Sequence, residues 1–282
     1  MLGEVTELWR FPIKSMGGEA VRRLELDADG VAGDRRFAVR DVETGLIASA
    51  KRPGRWGALL TCRAETTDGG NVLVTLPDGA SFIADDPALA AALGELTGRR
   101  VVVEHVDDRH PDASGDYEAE FPELEHVRLR GRMAFPTTMA TDARSYVDLA
   151  AVHLMTTSTI GAVASISGSD SVTSGRFRPN VVIDTGTDAE FVEDDWAGSV
   201  LQLGFDVVLT RVTQAARCIM TSVAQPGLPR DNRILQSIAR EHRVLTDDVG
   251  PMPCAGLFSE VAAAGVIAAG DTVAIAEATP AR

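Results

Sequence analysis

The chain has 282 residues, 45% of them hydrophobic and 24% charged, which is ordinary for a folded globular protein of one large domain or two smaller ones. Lys and Arg number 27 against 41 Asp and Glu, so the formal net charge is −14. This balance argues against non-specific binding to nucleic acid or to an anionic membrane, because both need a basic surface. An anionic ligand would need a local group of cations, and the only two lysines, Lys14 and Lys51, are the first to inspect.

The first hundred residues are rich in short strand patterns separated by Gly, Asp and Pro. The predicted strands are VTELWRF, AVRRLEL, RFAVRD, GLIASA, ALLTCRAE, NVLVTL and RRVVVEHV. One helix is predicted over 87–97, with Asp86 as its N-cap, Pro87 as its first residue and Gly98 as its stop. The spacing of the strands predicts a small β-barrel-like domain over residues 1–106.

A change of character follows at residues 107–135. This segment is acidic, is interrupted by Pro and Gly, and shows no sustained periodicity. We interpret it as a linker or a long surface loop. It separates the N-terminal domain from a second domain, which we place at residues 136–282.

The second domain returns to strand patterns and contains two helices. The predicted strands include AVHLMTT, RFRPNVVID, VLQLG, FDVVLTRV, ARCIMTSV and LFSEVAAAGVIAAGDTVAIAE. The first helix is STIGAVASIS, capped by Thr157 or Ser158, and the second is DNRILQSIAREHR, capped by Asp231 or Asn232. The predicted fold class is therefore mainly β with a few helices, a β-barrel core preceded by a smaller β-barrel-like domain.

Cysteine is scarce in this chain. Cys62, Cys218 and Cys254 are too far apart for a C-x-x-C motif, and three thiols cannot hold an iron–sulfur cluster that needs four. Their scarcity is consistent with a reducing compartment. The N-terminus has Glu4 and Glu7 where a signal peptide has a basic stretch and an apolar core. We therefore expect a cytoplasmic protein without a membrane partner.

The first chemical candidate is Cys218, which ends an apolar strand pattern beside Arg217. A neighbouring Arg favours the thiolate form of a cysteine, and a thiolate binds soft metals or attacks electrophiles. A cysteine in a barrel wall is also commonly a small apolar residue. On its position alone, both interpretations stay open, and Cys62 and Cys254 have only the second.

Short basic segments supply the candidates for anion binding. In RFRPN, Pro179 is expected to hold Arg178 in an extended conformation, and an aimed guanidinium suits a phosphate. PIKS supplies Lys14 and Ser15, and GDRRF supplies Arg35. Each of these segments is also compatible with a solvated surface, and for an isolated basic pair that is the simpler interpretation.

The segment VVIDTGT has the local pattern of an aspartic protease. That chemistry needs two carboxylates that share one proton, and this chain has one such motif, so a protease would have to be a homodimer. A turn at Asp184 that ends a strand is the simpler interpretation. The chain lacks G-x-G-x-x-G, the Walker loop, G-x-S-x-G and H-E-x-x-H, and its five histidines are scattered.

Taken in order, seven segments resemble one family. They are V-x-x-L-W-R-F-P-I-K-S, G-D-R-R-F, V-H-L-M-T-T-S-T-I, R-F-R-P-N-V-V-I-D, E-D-D-W, A-R-C-I-M-T and G-x-I-x-x-G-D-x-V. The chain resembles MOSC-domain proteins with an N-terminal MOSC β-barrel domain, a group that includes the mitochondrial amidoxime-reducing component. The resemblance covers nearly the whole chain and implies a MOSC-type β-barrel core.

The resemblance also implies a molybdenum cofactor. Cys218 corresponds to the cysteine that ligates molybdenum beside the pterin dithiolene in such relatives. The resemblance also implies contacts to the cofactor's phosphate from Lys14, Ser15, Arg35, Arg178 and Asn180. It implies contacts to the pterin from Thr156 and Thr157. Ala216 departs from relatives that have Ser near the metal, so one hydrogen-bond donor is missing there.

The implied activity is reduction of N-hydroxylated compounds, in which the metal removes oxygen with two electrons. Because the chain has too few cysteines for a four-Cys cluster, the electrons would come from a separate donor protein. Two alternatives stay open. Cys218 could carry a persulfide in a sulfur-transfer protein, or the chain could bind and deliver the cofactor without catalysis.

Overall fold

The computed structural model describes residues 1–108, 115–124, 131–136, 144–186, 188–246 and 250–276. Within these ranges the protein has 19 strands and five α-helices. Across the same ranges, no helix is long and apolar enough to cross a membrane.

The elements are numbered in chain order. The strands are β1 (Gly3–Arg10), β2 (Glu19–Val21), β3 (Arg23–Asp27), β4 (Gly30–Val31), β5 (Phe37–Asp41), β6 (Arg63–Thr66), β7 (Val72–Thr75), β8 (Ser81–Ile83), β9 (Val101–His105), β10 (Asp116–Phe121), β11 (Gly131–Pro136), β12 (Val152–Thr156), β13 (Val181–Asp184), β14 (Leu201–Leu203), β15 (Val207–Ala216), β16 (Arg243–Thr246), β17 (Gly250–Ala263), β18 (Gly265–Ala268) and β19 (Thr272–Ile275). The helices are α1 (Pro53–Trp56), α2 (Pro87–Thr97), α3 (Thr157–Ser167), α4 (Ser174–Phe177) and α5 (Asn232–Glu241).

Seven strands close into a barrel in the order β12, β13, β1, β19, β14, β15, β17. The circle is completed by antiparallel pairing of β17 with β12, and β12 and β13 are its one parallel pair. Closure leaves no unpaired strand edge, which is how small all-β units avoid edge-to-edge association. The predicted fold class, mainly β with a few helices around a β-barrel core, is confirmed.

The barrel interior is apolar, and β1 contributes to it through an irregular register. Val5 and Leu8 are both buried in the core although they are three residues apart. The pairing of β1 with β13 shifts between Val5 and Glu7, and such a bulge reverses the alternation of inward and outward side chains. Glu7 and Trp9 consequently lie on the outer face of the barrel, where the indole nitrogen of Trp9 donates to Glu7.

A second apolar core lies in the N-terminal half, among β5 to β9, α1 and α2. Helix α2 matches its sequence signals, since Asp86 accepts a hydrogen bond from the Ala88 amide and Gly98 adopts the left-handed conformation. The predicted domain boundaries stay a prediction. Strand β1 nevertheless pairs with β13 and β19, so the first strand of the chain is part of the closed barrel.

The acidic segment 107–135 differs from the expected linker. Strands β10 and β11 within it form an antiparallel hairpin. Tyr117 and Ala119 are buried while Glu118 and Glu120 point outward. The alternation of buried and exposed side chains that is typical of a strand is therefore present, but it involves only two buried residues. Residues 109–114 and 125–130 lie outside the described ranges.

Three local expectations also change. GLIASA forms only isolated bridges at Ile47 and is not a strand, and in ARCIMTSV a short 3₁₀ turn over Ile219–Ser222 follows Cys218. The cap of α3 is Thr156, whose hydroxyl accepts from the Thr159 amide at 3.0 Å, and not Thr157 or Ser158. Of the two expected caps of α5, Asp231 and Asn232, the cap is Asp231. Short side chains that precede a helix by one or two residues compete for this role, and sequence alone does not rank them.

Arg176 is the largest fully buried side chain and joins α4 to the segment that follows Cys218. Its guanidinium donates to the backbone carbonyls of Ser171 (2.7 Å), Thr221 (3.3 Å), Val223 (3.3 Å) and Pro229 (2.5 Å), and also to the Ser171 hydroxyl. A buried carbonyl that loses its donor is costly. Arg176 therefore fixes the loop on which Cys218 is carried.

Replacing Arg176 by Met should lower the free energy of unfolding by about 3 kcal/mol, because several buried carbonyls lose their donor together. Arg240→Met is the matched control, since its guanidinium is 64% exposed and pairs with neighbouring Glu241. That change should cost at most about 0.5 kcal/mol. Urea denaturation of both variants measures the difference, and equal losses would show that Arg176 is not a structural anchor.

Candidate functional site

A cavity lies against the outer side of the barrel wall. On β12, Leu154 faces the barrel core while neighbouring His153 faces outward. On β17, Leu257 faces the core and Phe258 faces outward, where its ring lies next to His153. The segments after β1, before β13 and after β15 enclose the space over this outer face. The lining residues are Lys14, Ser15, Arg35, Lys51, Val147, Asp148, Leu149, Ala150, His153, Arg176, Phe177, Arg178, Asn180, Ala216, Arg217, Cys218, Met220, Thr221 and Phe258.

The lining concentrates positive charge in an acidic protein. Among the described residues it includes six cationic side chains and a single carboxylate, that of Asp148, whereas the whole chain carries a formal charge of −14. Both lysines of the chain are among them. Such a local excess of cations, in a space partly removed from water, favours an anionic ligand.

The two lysines share Asp148. The Lys51 ammonium lies 2.8 Å from one carboxylate oxygen, and the Lys14 ammonium contacts the other and donates to the Tyr146 carbonyl at 2.9 Å. The Tyr117 ring lies beneath both ammonium groups, at 4.8 and 4.9 Å, and its hydroxyl accepts from Lys51. The hairpin of β10 and β11 thus contributes to the site.

Burial opposes the charge of each member of this cluster. Burial, with the positive charges of Lys51 and Arg35, lowers the pKa of Lys14 to about 8. Although burial acts to raise it, the pKa of Asp148 is lowered below its usual range by the two ammonium groups. Although burial acts to lower it, the pKa of Lys51 is raised by Asp148. At neutral pH the cluster is therefore ionised and carries one net positive charge.

Arg35 and Arg178 stack on one aromatic ring. Their guanidinium carbons lie 5.0 and 4.2 Å from the centroid of Phe11. Arg178 donates through Nη1 to the Met16 carbonyl, whereas its Nη2 is buried and has no hydrogen-bond partner in the part of the chain that the structure describes. Burial and the charge of Arg35 lower the pKa of Arg178 to about 9, so the group stays charged at neutral pH. A buried charged donor without an acceptor is the expected feature of an anion site that is open to its ligand.

The backbone is strained where it lines the cavity. Among described non-glycine residues, φ is positive only at Ser15 (66°), Arg35 (49°), Arg178 (58°) and Arg211 (49°), and the first three line the cavity. A left-handed residue with a side chain costs about 1–2 kcal/mol. The expected extended conformation of Arg178 is therefore wrong. Its amide closes the turn of α4 on the Ser174 carbonyl, which outweighs the bias from Pro179.

Cys218 lies beside a second fixed guanidinium. The Arg217 group lies between the rings of Phe177 and Phe258 and contacts Nε2 of His153 at 2.6 Å. Burial, and then the charge of Arg217, holds the pKa of His153 well below its ordinary value, so the imidazole is neutral and Nε2 accepts. Cys218 itself is a free, partly buried thiol within electrostatic reach of Lys51 and Arg217.

The cavity brings together six of the eight residues expected at the site: Lys14, Ser15, Arg35, Arg178, Asn180 and Cys218. The two uncharged polar side chains among them, Asn180 and Ser15, hydrogen-bond to backbone groups. The Asn180 side chain accepts from the His153 amide at 3.1 Å and donates to the Trp9 carbonyl at 3.3 Å, so it ties the wall together. The Ser15 hydroxyl accepts from the Ala50 amide at 3.0 Å.

Thr156 and Thr157 do not line this cavity. The Thr156 hydroxyl donates to Glu193 at 2.6 Å as well as capping α3, and the Thr157 hydroxyl donates to Asp184 at 3.0 Å. Asp184 also accepts from the Gly186 amide, so the turn interpretation of the VVIDTGT segment is confirmed. The hydroxyls of Thr156 and Thr157 are therefore engaged by the N-terminus of α3 and by the carboxylates of Glu193 and Asp184.

Sequence reasoning missed several residues of the site. Lys51 could have been found because it is one of only two lysines in the chain. Arg217 was considered only as a neighbour of Cys218. Asp148 and Tyr117 gave no sequence signal, because each lies in an unremarkable segment and gains its role only through the fold. His153 received no role among the five scattered histidines; it is buried and lines the cavity beside Arg217.

Comparison with protein families agrees with this architecture. The model of the MOSC N-terminal beta barrel domain matches residues 2–110, and the model of the MOSC domain matches residues 141–274. The chain belongs to the MOSC-domain proteins. MOSC domains are associated with binding of the molybdenum cofactor.

This MOSC protein also matches solved structures at low overall similarity. The YUAD protein from Bacillus subtilis is 10% identical, with 97% of this chain and 94% of that chain covered and a TM-score of 0.46. YiiM from Geobacillus stearothermophilus is 19% identical, with 45% of this chain and 55% of that chain covered and a TM-score of 0.31. No curated protein matches the chain.

Two histidines should change the acid stability of this MOSC protein in opposite directions. Because the unfolded chain protonates His153 below a pH of about 6.5 while the fold keeps it neutral, His153 lowers stability as pH falls. His153→Gln should make the acid-side slope shallower, by at most about 1.4 kcal/mol per pH unit.

His242 provides the opposite case. Although burial acts to lower it, the pKa of His242 is raised by hydrogen bonds to Asp194 and to the Cys254 carbonyl. Its stabilisation is therefore full below the unfolded pKa and is lost as pH rises, so His242→Gln should steepen the acid-side loss. Urea denaturation between pH 8 and pH 5 compares the slopes, and shifts of the same sign in both variants would contradict these assignments.

Proposed function

We propose that this protein is a molybdenum-cofactor-dependent oxidoreductase that reduces N-hydroxylated compounds, such as amidoximes, hydroxylamines and N-hydroxypurines. The observation that carries the proposal is the position of Cys218. Its free thiol shares one cavity with six cationic side chains, in a protein whose net charge is −14. A thiol that can ligate a soft metal next to a site for a phosphorylated group is what this cofactor requires.

The residues present fit the cofactor. Its phosphate is a dianion, and Arg178 offers a buried Nη2 without a partner, with Arg35 stacked on the same Phe11 ring. Planar guanidinium groups bind phosphate through paired hydrogen bonds. Lys14 adds a charged ammonium, since its pKa of about 8 keeps it largely protonated at neutral pH.

When bound, the cofactor supplies a metal centre that exchanges two electrons. The Cys218 thiolate would hold that metal, and the arginines would hold the phosphate. Phe177 and Phe258 flank Arg217, so part of the cavity wall excludes water. Ala216 lines the cavity and brings no side-chain hydrogen-bond donor to it.

The overall reaction defines what else is needed. Reduction of an N-hydroxy group to the amine, with release of water, consumes two electrons and two protons. With only three cysteines, the chain has no four-Cys cluster of its own, so we propose a separate electron-donor protein. A donor with a basic surface complements the acidic chain, and a cytoplasmic location suits three free cysteines.

A sulfur-carrier protein is the second candidate. Cys218 is partly buried rather than sealed, and Lys51 and Arg217 lie within electrostatic reach of it. The same positive charges that favour a metal thiolate would stabilise a persulfide anion. A cofactor-delivery module is the remaining alternative, and the experiment below separates all three.

Protein purified from a molybdenum-replete host should contain near-equimolar molybdenum and should convert an amidoxime to the amidine with dithionite and a viologen as reductant. Cys218→Ser should lose most of the metal and the activity, because the soft ligand is gone. Cys254→Ala is the matched control, since its thiol is buried outside the cavity. Metal analysis and product chromatography measure both effects.

Three outcomes would contradict this assignment. Full molybdenum retention by Cys218→Ser would remove Cys218 from the ligand role. A loaded protein that is inert toward all N-hydroxylated substrates under artificial reduction would favour cofactor delivery. A metal-free wild type that accepts sulfur from a desulfurase would favour the carrier.

Arg178→Ala should weaken cofactor retention about ten- to a hundredfold, because a hydrogen bond to a charged group contributes roughly 1.5–3 kcal/mol. Arg22→Ala removes the same charge from an exposed position and is the control. Retained molybdenum after gel filtration measures the effect. Equal losses in the two variants would indicate general electrostatics and no specific phosphate contact.

A further inference from the structure

A separate groove lies on the outer face of the barrel, where β1 passes β2. Its floor is formed by β1 from Thr6 to Trp9, and its sides by β2, by the start of α4 and by the Pro226–Leu228 turn. None of its lining residues is shared with the cationic cavity. The two sites are nevertheless adjacent, because the Trp9 ring of the groove stacks on Phe11 and the Arg178 guanidinium of the cavity lies over the same Phe11 ring.

The groove contains one oriented carboxylate. Glu7 accepts hydrogen bonds from the Trp9 indole at 2.8 Å and from the Ser174 hydroxyl at 2.6 Å, both at Oε2. The other oxygen, Oε1, has no hydrogen-bond partner among the described residues, and over the same ranges Glu7 forms no ion pair. Every other lining residue is uncharged. The carboxylate is therefore held in place with one face left for a cation.

An aromatic ring stands next to that carboxylate. Trp9 is partly exposed, whereas Trp56 and Trp196 are only 4% and 5% exposed. Its ring lies nearly parallel to Phe11, with an interplanar angle of 17°, and so has a fixed orientation. An indole beside a carboxylate attracts cations through its ring electrons and through the opposite charge together.

We propose that this groove binds a guanidinium group, through Glu7 and Trp9. A guanidinium is planar, so it can stack on the indole while its N–H groups donate to a carboxylate. It is also weakly hydrated, which lowers the cost of entering a half-enclosed groove. The group is carried either by a small molecule or by an arginine in a peptide segment.

The site is independent of the cofactor, so its test needs no molybdenum. Ethylguanidinium titrated into wild-type protein should change the tryptophan fluorescence in a saturable way. It should also shift one of the three indole N–H signals in a ¹H–¹⁵N spectrum, that of Trp9. Ethylurea, a neutral group of the same shape, should do neither, because it lacks the charge that Glu7 attracts.

Two variants with a matched control locate the effect. Glu7→Gln should weaken ethylguanidinium binding about tenfold or more, since one charged hydrogen-bond acceptor becomes neutral. Glu4→Gln, at an exposed position on the same strand, should leave binding unchanged. Trp9→Phe should abolish the fluorescence response while the folded protein retains the signals of the two buried indoles.

The source of the guanidinium follows from a second titration. Tighter binding of the tripeptide Gly-Arg-Gly than of ethylguanidinium would support a peptide segment, and equal binding would support a small molecule. The proposal is overturned if no indole signal moves at millimolar ethylguanidinium, if ethylurea acts equally, or if Glu7→Gln binds as well as wild type. The spectrum of the wild type decides the first two outcomes even if a variant fails to fold.

Discussion

Positive charges that are held close together in a cavity repel one another, and the surrounding residues of this protein reduce that repulsion without removing it. Asp148 lies between the two lysines and balances one of them. The ring of Phe11 carries two guanidinium groups, and Tyr117 underlies both ammonium groups. His153 stays neutral where a second charge beside Arg217 would be costly. The site remains positive because, among the described residues, Asp148 and Asp34 are the carboxylates that pair with its cations, and the lining includes six cationic side chains.

The same region stores backbone strain. Three cavity residues have left-handed backbones although none is glycine, and a strained conformation persists only where surrounding contacts hold it. Here the buried Arg176 guanidinium, the Asn180 amide and the strands of a closed barrel provide those contacts. The contacts that stabilise the wall of the cavity thus also hold Ser15, Arg35 and Arg178 in their left-handed conformations.

The sequence predicts the fold class and helix α2, because strand periodicity and capping signals are local, and six of the eight expected site residues line the cavity. It does not predict the roles of Asp148 or Tyr117, which depend on segments that meet only in the folded chain. The same limit explains the conformation of Arg178, where a turn overrides the bias from a following proline. Strand β10 was not predicted because charged residues occupy its outward positions.

The pairing of β1 with β19 has a consequence for how the chain folds during synthesis. Gly3 lies opposite Val273, so the first and the last strands of the barrel are direct neighbours. The circle of seven strands cannot close until nearly the entire chain has left the ribosome. Until then the backbone groups of β1 that pair with β19 have no strand partner. Contacts between residues so far apart in sequence also form slowly. The other barrel neighbour of β1 is β13, which also lies far along the chain, so β1 gains neither neighbour early, whereas a strand in a barrel of consecutive hairpins can pair at once with the strand that follows it.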